Sequence, residues 1–403
     1  MNVLWGICGI IAILGIAFLL SSSKKSINLR TVVGGLVIQI LFAFIVLKWE
    51  TGREGLLAFS NGIQNLISYA SEGISFVFGP AADTKNFGFV FAFQVLTVII
   101  FFSSLISVLY YLGIMQFFIR ILGGALSKLL GTSKAESVSA AANIFVGQTE
   151  APLVIRPFIA NMTKSELFAI MTGGLASVSG SVLVGYALLG VPLEYLVAAS
   201  FMAAPAGLIL AKIMIPETEV VNEENFTMEK DDSSVNVVDA AARGASDGLK
   251  LALNVGAMLL AFIAIIALLN GLLGGIGSIF GFKELTLEGI LGFVFSPLAF
   301  VIGVPWSEAV QAGSFIGQKL VLNEFVAYSA FAPEIASLSP KTVIVVSFAL
   351  CGFANLSSMA MLLGGLGSMA PSRREDVARL GFRAVASGML ASLLSAAIAG
   401  MFL

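Results

Sequence analysis

Two stretches put chemically capable side chains inside otherwise apolar sequence. The first is Asn143-Ile144-Phe145-Val146-Gly147-Gln148-Thr149-Glu150-Ala151-Pro152-Leu153, where an amide, a hydroxyl and a carboxylate follow one another between a glycine and a proline. The second, residues 317–328, sets Asn323 beside Glu324. Each is followed by an apolar run interrupted by small polar residues: Thr172 to Ser181 after the first, and Cys351 to Ser358, with Asn355 at its centre, after the second. Gly and Pro destabilise a helix and leave backbone groups needing partners. Broken backbone at membrane depth survives only inside protein or beside a watery cavity. An ionisable residue there marks a functional site. A wet cytosolic loop is the bland alternative, but the flanks at residues 140–146 and 151–159 are too continuously apolar for one.

Composition narrows the chemistry. The chain has 403 residues, 58% hydrophobic and 11% charged, and a mean hydropathy of +0.98, which is a polytopic membrane protein rather than a soluble domain. It contains no histidine, which removes Ser-His-Asp catalysis, His-ligated zinc and imidazole proton relays. Cys8 and Cys351 lie far apart in apolar runs and imply no disulfide framework. The net charge of -2, without a basic tract, offers no nucleic-acid surface. Gly244-Ala245-Ser246-Asp247-Gly248 has a nucleophile-elbow spelling but neither a strand nor a histidine base. Gly365-Leu366-Gly367-Ser368-Met369-Ala370 fits a loose dinucleotide fingerprint but ends a membrane span.

The elements that must position the polar stretches are membrane spans. Apolar runs at residues 3–20, 32–47, 87–112, 168–189, 193–215, 251–273, 343–363 and 384–402 predict eight crossings. Residues 55–78 mix apolar and polar positions and read as an interfacial helix. Residues 216–250 are polar, with Glu217, Glu219, Glu223, Glu224, Glu229, Asp231 and Asp232, and read as a solvated cytoplasmic connection grading into an amphipathic helix near Ala240. Trp5, Trp49 and Trp306 stand near span ends as interfacial anchors. With residues 137–162, 287–304 and 310–335 not crossing, Lys24, Lys25 and Arg30 fall inside together with Arg373, Arg374, Arg379 and Arg383. Both termini then lie outside, in keeping with the positive-inside rule. Making any one of the three a crossing would put the Arg373 to Arg383 cluster outside.

In that topology the first polar stretch dips in from the cytoplasm and the second from outside. Two re-entrant hairpins of opposite orientation, each paired with an interrupted span, predict an all-α polytopic fold built as an inverted repeat. That is the pattern of a secondary transporter with a midplane site. An intramembrane enzyme would need a nucleophile–base pair or a metal site. A carrier for carboxylate substrates would need a cation, and the motifs offer Lys319 at most.

Residues 147–153, residues 317–328 around Asn323-Glu324-Phe325-Val326-Ala327, and Phe353-Ala354-Asn355-Leu356-Ser357-Ser358 together resemble the concentrative nucleoside transporters, in their bacterial eight-span form. The resemblance implies symport of nucleosides such as uridine across the plasma membrane. It implies a homotrimer in the lipid bilayer, with the third and sixth spans and interfacial helices as scaffold. It places Gln148, Thr149 and Glu150 near the nucleobase, Val182 and Phe353 against its faces, and Glu324, Asn355 and Ser358 around the ribose. A neutral nucleoside needs no Arg clamp, a carboxylate suits a vicinal diol, and an aromatic ring suits a planar base. Asn143, Val146, Ser177 and Val178 match the sodium site of the sodium-coupled relatives, and broken helices supply the oxygens a hard cation wants. A proton carried by Glu150 or Glu324 is the alternative coupling ion. The corresponding partition is 1–130 (spans 1–3 and interfacial helix), 131–215 (first hairpin, spans 4–5), 216–305 (loop, span 6, interfacial helix) and 306–403 (second hairpin, spans 7–8).

Overall fold

The computed structural model describes residues 2–83, 88–221, 234–279 and 285–403, and all its regular elements among these are helical. Spans 1 and 2 are α1 (Asn2–Leu19) and α2 (Leu29–Ala43), the latter continued by a π-helical turn, Phe44–Lys48. The amphipathic α3 (Glu50–Phe78) follows, then span 3, which is a π turn at Ala92–Leu96 running into α4 (Thr97–Tyr111). A helix that the sequence reading did not assign, α5 (Ile114–Leu130), lies between Gly113 and Gly131, both in the left-handed conformation that glycine adopts freely. It carries Arg120 and Lys128.

The first hairpin is α6 (Lys134–Ala142), an irregular tip, a 3-10 turn (Ala151–Ile155) and the short α7 (Arg156–Ile159). Span 4 is broken into α8 (Lys164–Ala176) and α9 (Gly180–Leu188), and span 5 is α10 (Leu193–Met214). Both α6 and α8 open with a full capping box, Ser133 with Glu136 and Thr163 with Glu166. After the long α11 (Val237–Ile279) come α12 (Leu287–Val301) and the second hairpin, α13 (Trp306–Val321) and α14 (Glu324–Phe331). Span 7 is broken into α15 (Pro340–Leu350) and α16 (Ser358–Met369), and α17 (Arg374–Ala399) closes the chain.

Seven of the described helices are long and apolar enough to cross a membrane. The sequence's seventh span is the α15–α16 pair, two shorter apolar helices each below spanning length alone. The α12–α13 pair bends by 116° and forms a corner. Span 6 differs from expectation. The amphipathic segment near Ala240 and the span at 251–273 form one unbroken helix of 43 residues. Its glycines at 244 and 248 explain the set-aside motif, because a Cβ at either would sit 2.6–2.7 Å from Ser107 or Ser103 of α4. Small residues four apart let the two helices touch, and Ser104 Oγ donates to the Ala241 carbonyl at 2.9 Å.

Burial separates the helices by role. Spans 4 and 5 are 94% buried and span 8 83%, whereas spans 3 and 6 are 22% buried. The core is therefore the two broken spans, α10, α17 and the hairpins. Spans 1 and 2 pack on α10 and α17, while span 3 packs on α11.

Candidate functional site

Each hairpin is joined to its broken span by the same backbone bond. The Gly180 N–H donates to the Phe145 carbonyl at 2.9 Å, and the Leu356 N–H donates to the Leu320 carbonyl at 3.2 Å. The two breaks are also joined to each other, since the Phe353 N–H donates to the Ser177 carbonyl at 3.1 Å. Gly352 permits this contact. A Cβ there would lie 2.6 Å from Ser392 Oγ and 2.9 Å from the Ala176 carbonyl oxygen.

Glu324, Asn355 and Ser358, which the resemblance sets around the ribose, lie together. Asn323 caps α14 by accepting from the Val326 N–H at 2.9 Å, which sets Glu324 in the first turn. One Glu324 oxygen accepts from Asn355 Nδ2 at 2.9 Å. Asn355 is held in turn: its Oδ1 accepts from Ser357 Oγ (2.7 Å), Ser358 N (2.9 Å) and Ser358 Oγ (3.0 Å). The other Glu324 oxygen accepts from the Tyr186 hydroxyl at 3.1 Å. Tyr186 was not among the predicted residues. Its ring packs on Phe325 and Tyr328, with centroids 4.7 and 4.4 Å away, so the first half's broken span reaches into the second half's hairpin. An aromatic in an apolar run carries no signal in sequence, and its partner is 138 residues away. Phe353 is half-buried in the same break.

The first hairpin is looser. Gln148 is buried, with Nε2 3.6 Å from the Met361 sulfur and its carbonyl oxygen unpartnered. Thr149 lies against α16, its methyl 3.0 Å from where a Gly365 Cβ would stand. Thr149 and Glu150 are exposed, and among the described residues the Glu150 carboxylate accepts the Gly147 N–H at 3.2 Å and no other donor. Val182 is buried on α9. Glu150 and Glu324 share no hydrogen bond, so they form no carboxylate pair.

Asn143 ends α6 with Nδ2 donating to the Ser139 carbonyl at 3.0 Å, while its Oδ1 is buried without a partner. Asn143 Nδ2 lies 3.5 Å from where a Cβ of Gly173 would stand, and one turn on Ser177 ends α8, its hydroxyl donating back to the Gly173 carbonyl at 3.0 Å. No described residue donates to the carbonyl of Val146 or Val178. Unpaired buried oxygens are costly, and a cation among them would satisfy several at once. The described residues hold no cluster of three or more His, Cys, Asp or Glu side chains, so neutral oxygens are the donor set available here.

Near the polar end of spans 4 and 5, Lys212 is buried with Glu136 Oε2 at 2.7 Å, Ser165 Oγ at 3.0 Å and Glu217 Oε2 at 3.4 Å. Glu217 also accepts from Thr163 Oγ1 at 2.8 Å. The start of the acidic connection is therefore bound to the helix ends rather than simply solvated, contrary to the sequence expectation. Glu223, Glu224, Glu229, Asp231 and Asp232 lie outside the described residues.

Two hairpins set against two broken spans, with matching backbone joins in the two halves, define a polytopic carrier rather than an enzyme. The comparisons specify which carriers. The family described as "Na+ dependent nucleoside transporter C-terminus" matches residues 195–400, its N-terminal counterpart residues 8–81, and a "Nucleoside recognition" gate domain residues 92–193. The chain belongs to the concentrative nucleoside transporter family. It is 52% identical to the nucleoside permease NupC of Helicobacter pylori over 99% of this chain and 98% of that one. It is 38% identical to human solute carrier family 28 member 3 over 98% of this chain and 59% of that one. A structure of CNTnw in an inward-facing substrate-bound state matches with TM-score 0.95 at 57% identity, covering 100% of this chain and 98% of that one. An outward-facing CNTnw variant matches at 0.97 and 56%, with the same coverage.

Proposed function

We propose that this protein imports nucleosides, uridine among them, across the plasma membrane by symport with sodium, alternating access around a site between the two hairpins and the two breaks. The observation that carries the substrate reading is the Glu324–Asn355–Ser358 cluster. A buried carboxylate, oriented by an amide whose own carbonyl is already taken, keeps acceptor capacity for a vicinal diol. Phe353 in the same break offers an apolar face for the base, and Gln148 offers a free carbonyl oxygen for its edge. This supports ribose recognition by the second half and base recognition by the first.

Sodium fits the first half. The unpartnered Asn143 Oδ1 and the undonated carbonyls of Val146 and Val178 would hold it, with Ser177 beside them. When bound, the ion would supply positive charge at the hairpin tip, residues 143–155, where Glu150 is the charged side chain. The scaffold in this reading is span 3, span 6 and α3. Spans 1 and 2 accompany α10 and α17, and the exposed apolar faces of α3 and α11 meet lipid and the neighbouring copies of a homotrimer. Both termini face outside. Uptake into proteoliposomes tests the coupling. An inward sodium gradient should drive accumulation and Asn143→Ala should abolish that dependence; equal uptake driven by a pH gradient in sodium-free buffer would establish proton coupling instead.

A further inference from the structure

We propose that Lys319 is a built-in cation that occupies, in the second half of the repeat, the place the coupling ion takes in the first. The proposal rests on the sodium reading above for its comparison, but its own evidence lies in the second half. Lys319 is fully buried near the end of α13, one residue before Leu320, whose carbonyl joins that hairpin to its broken span. In the first half the same join is made by Phe145, and Asn143 precedes it by two.

The ammonium has a specific job at the break. In a continuous helix the Phe353 N–H would donate to the Ala349 carbonyl, but it donates instead to Ser177. That frees the Ala349 oxygen at the end of α15, and Lys319 Nζ takes it at 2.7 Å. Nζ also donates to Ser392 Oγ of α17 at 3.1 Å, and that hydroxyl lies 3.4 Å from the Cys351 carbonyl oxygen. Lys319 thus sits among helix-end carbonyl and hydroxyl oxygens at the negative end of α15, the environment in which a broken helix holds a metal cation. Among the described residues the other buried cation is Lys212, which has Glu136 within 2.7 Å. Lys319 makes no such ion pair, and a buried ammonium without a carboxylate at contact is costly unless fixed dipoles replace its water. Glu324 follows five residues on in the same hairpin and makes no ion pair with it. The second half therefore brings its carboxylate and its cation in one hairpin, while the first brings Glu150 and recruits its cation from solution.

A serine at 319 removes the charge and leaves an oxygen-lined space. Lys319→Ser should then bind sodium where the ammonium was, raising the Hill coefficient for sodium activation of nucleoside binding from about 1 to about 2. The thermal midpoint of the nucleoside-free variant in detergent should rise with sodium over choline more than that of the parent protein. Lys319→Met, with a stem but no room or oxygen, should lose nucleoside affinity more than tenfold at every sodium concentration. Repeating the thermal measurement in Asn143→Ala/Lys319→Ser separates the two sites: a sodium-dependent rise there supports the Lys319 site even if the Asn143 reading fails. Absence of a sodium-dependent gain in both Ser backgrounds overturns the proposal, as does a Met variant with parental affinity and sodium dependence. A Ser variant recoverable only from sodium-containing buffer supports it. One recoverable from neither buffer overturns it, because sodium was to replace the charge.

Discussion

Glu324→Gln separates the ribose from the rest of the site, and the hydrogen bonds determine what it should do. The Asn355 carbonyl oxygen is already taken by Ser357 and Ser358, so its amide nitrogen must face residue 324. A glutamine would turn its carbonyl oxygen toward Asn355 and its nitrogen toward the Tyr186 oxygen, which can accept. Both internal contacts survive as neutral bonds, so folding should be preserved. What is lost is the anion offered to the substrate. A hydrogen bond to a charged group contributes about 1.5–3 kcal/mol and a neutral one about 0.5–1.5. The difference is roughly 1–1.5 kcal/mol for each of two ribose hydroxyls, so nucleoside affinity should fall on the order of 30- to 150-fold.

Calorimetry on the purified protein reads this directly, with a 2′,3′-dideoxynucleoside as the second ligand. The parent protein should discriminate strongly against the dideoxy compound, and the glutamine variant should discriminate weakly. A variant that folds, binds the ribonucleoside within about threefold of the parent and still rejects the dideoxy compound would refute the assignment of Glu324 to the ribose.

The neighbouring residues make separate predictions. Tyr186→Phe keeps the ring packing but removes one donor to Glu324, so nucleoside affinity should drop by roughly 3- to 10-fold, a neutral-to-charged bond being partly replaced by water; an unchanged dissociation constant would mean the hydroxyl is incidental. Lys212→Met strands Glu136 in a buried position, at a cost of about 3–5 kcal/mol in stability. The thermal melt should fall steeply and recover in part in Lys212→Met/Glu136→Gln. Gly352→Ala forces a methyl to 2.6 Å from Ser392 Oγ and should cost about 1–3 kcal/mol together with transport. Gly364→Ala, where the added carbon meets nothing within 4 Å, should stay within about 0.5 kcal/mol.

The hairpins and breaks were legible because each violates its surroundings locally. Gly147, Pro152, Asn323 and Asn355 are errors in a membrane helix unless they do something, and one needs no partner to see that. Tyr186 violates nothing, and its meaning depends on a carboxylate across the repeat. Lys212 reads as a span's cytoplasmic end, and that it is buried depends on Glu136 of the hairpin folding over it. The length of α11 is hidden in sequence for a similar reason. Arg243, Asp247 and Lys250 look like a boundary in sequence, yet their charges point away while the opposite face, Gly244 and Gly248, runs on against α4. Periodicity would have favoured a continuous helix over the charge count.

The proposed ion and substrate sites are separated by one hydrogen bond. Ser177 stands in the proposed ion set at the end of α8, and its carbonyl receives the N–H of Phe353, the residue proposed to face the base. Filling the first half with a cation fixes the end of α8, which fixes the acceptor for Phe353, which leaves Ala349 free for Lys319 and positions Asn355 two residues on. Without the cation, the unpaired oxygens around Asn143 favour any rearrangement that finds them donors. Ordering by one ligand that lowers the ordering cost for the next is positive cooperativity, and it is reciprocal. Sodium should therefore raise nucleoside affinity by the same factor as nucleoside raises sodium affinity. Because the link is a backbone bond, substituting the Phe353 side chain should weaken nucleoside binding while leaving that coupling factor intact.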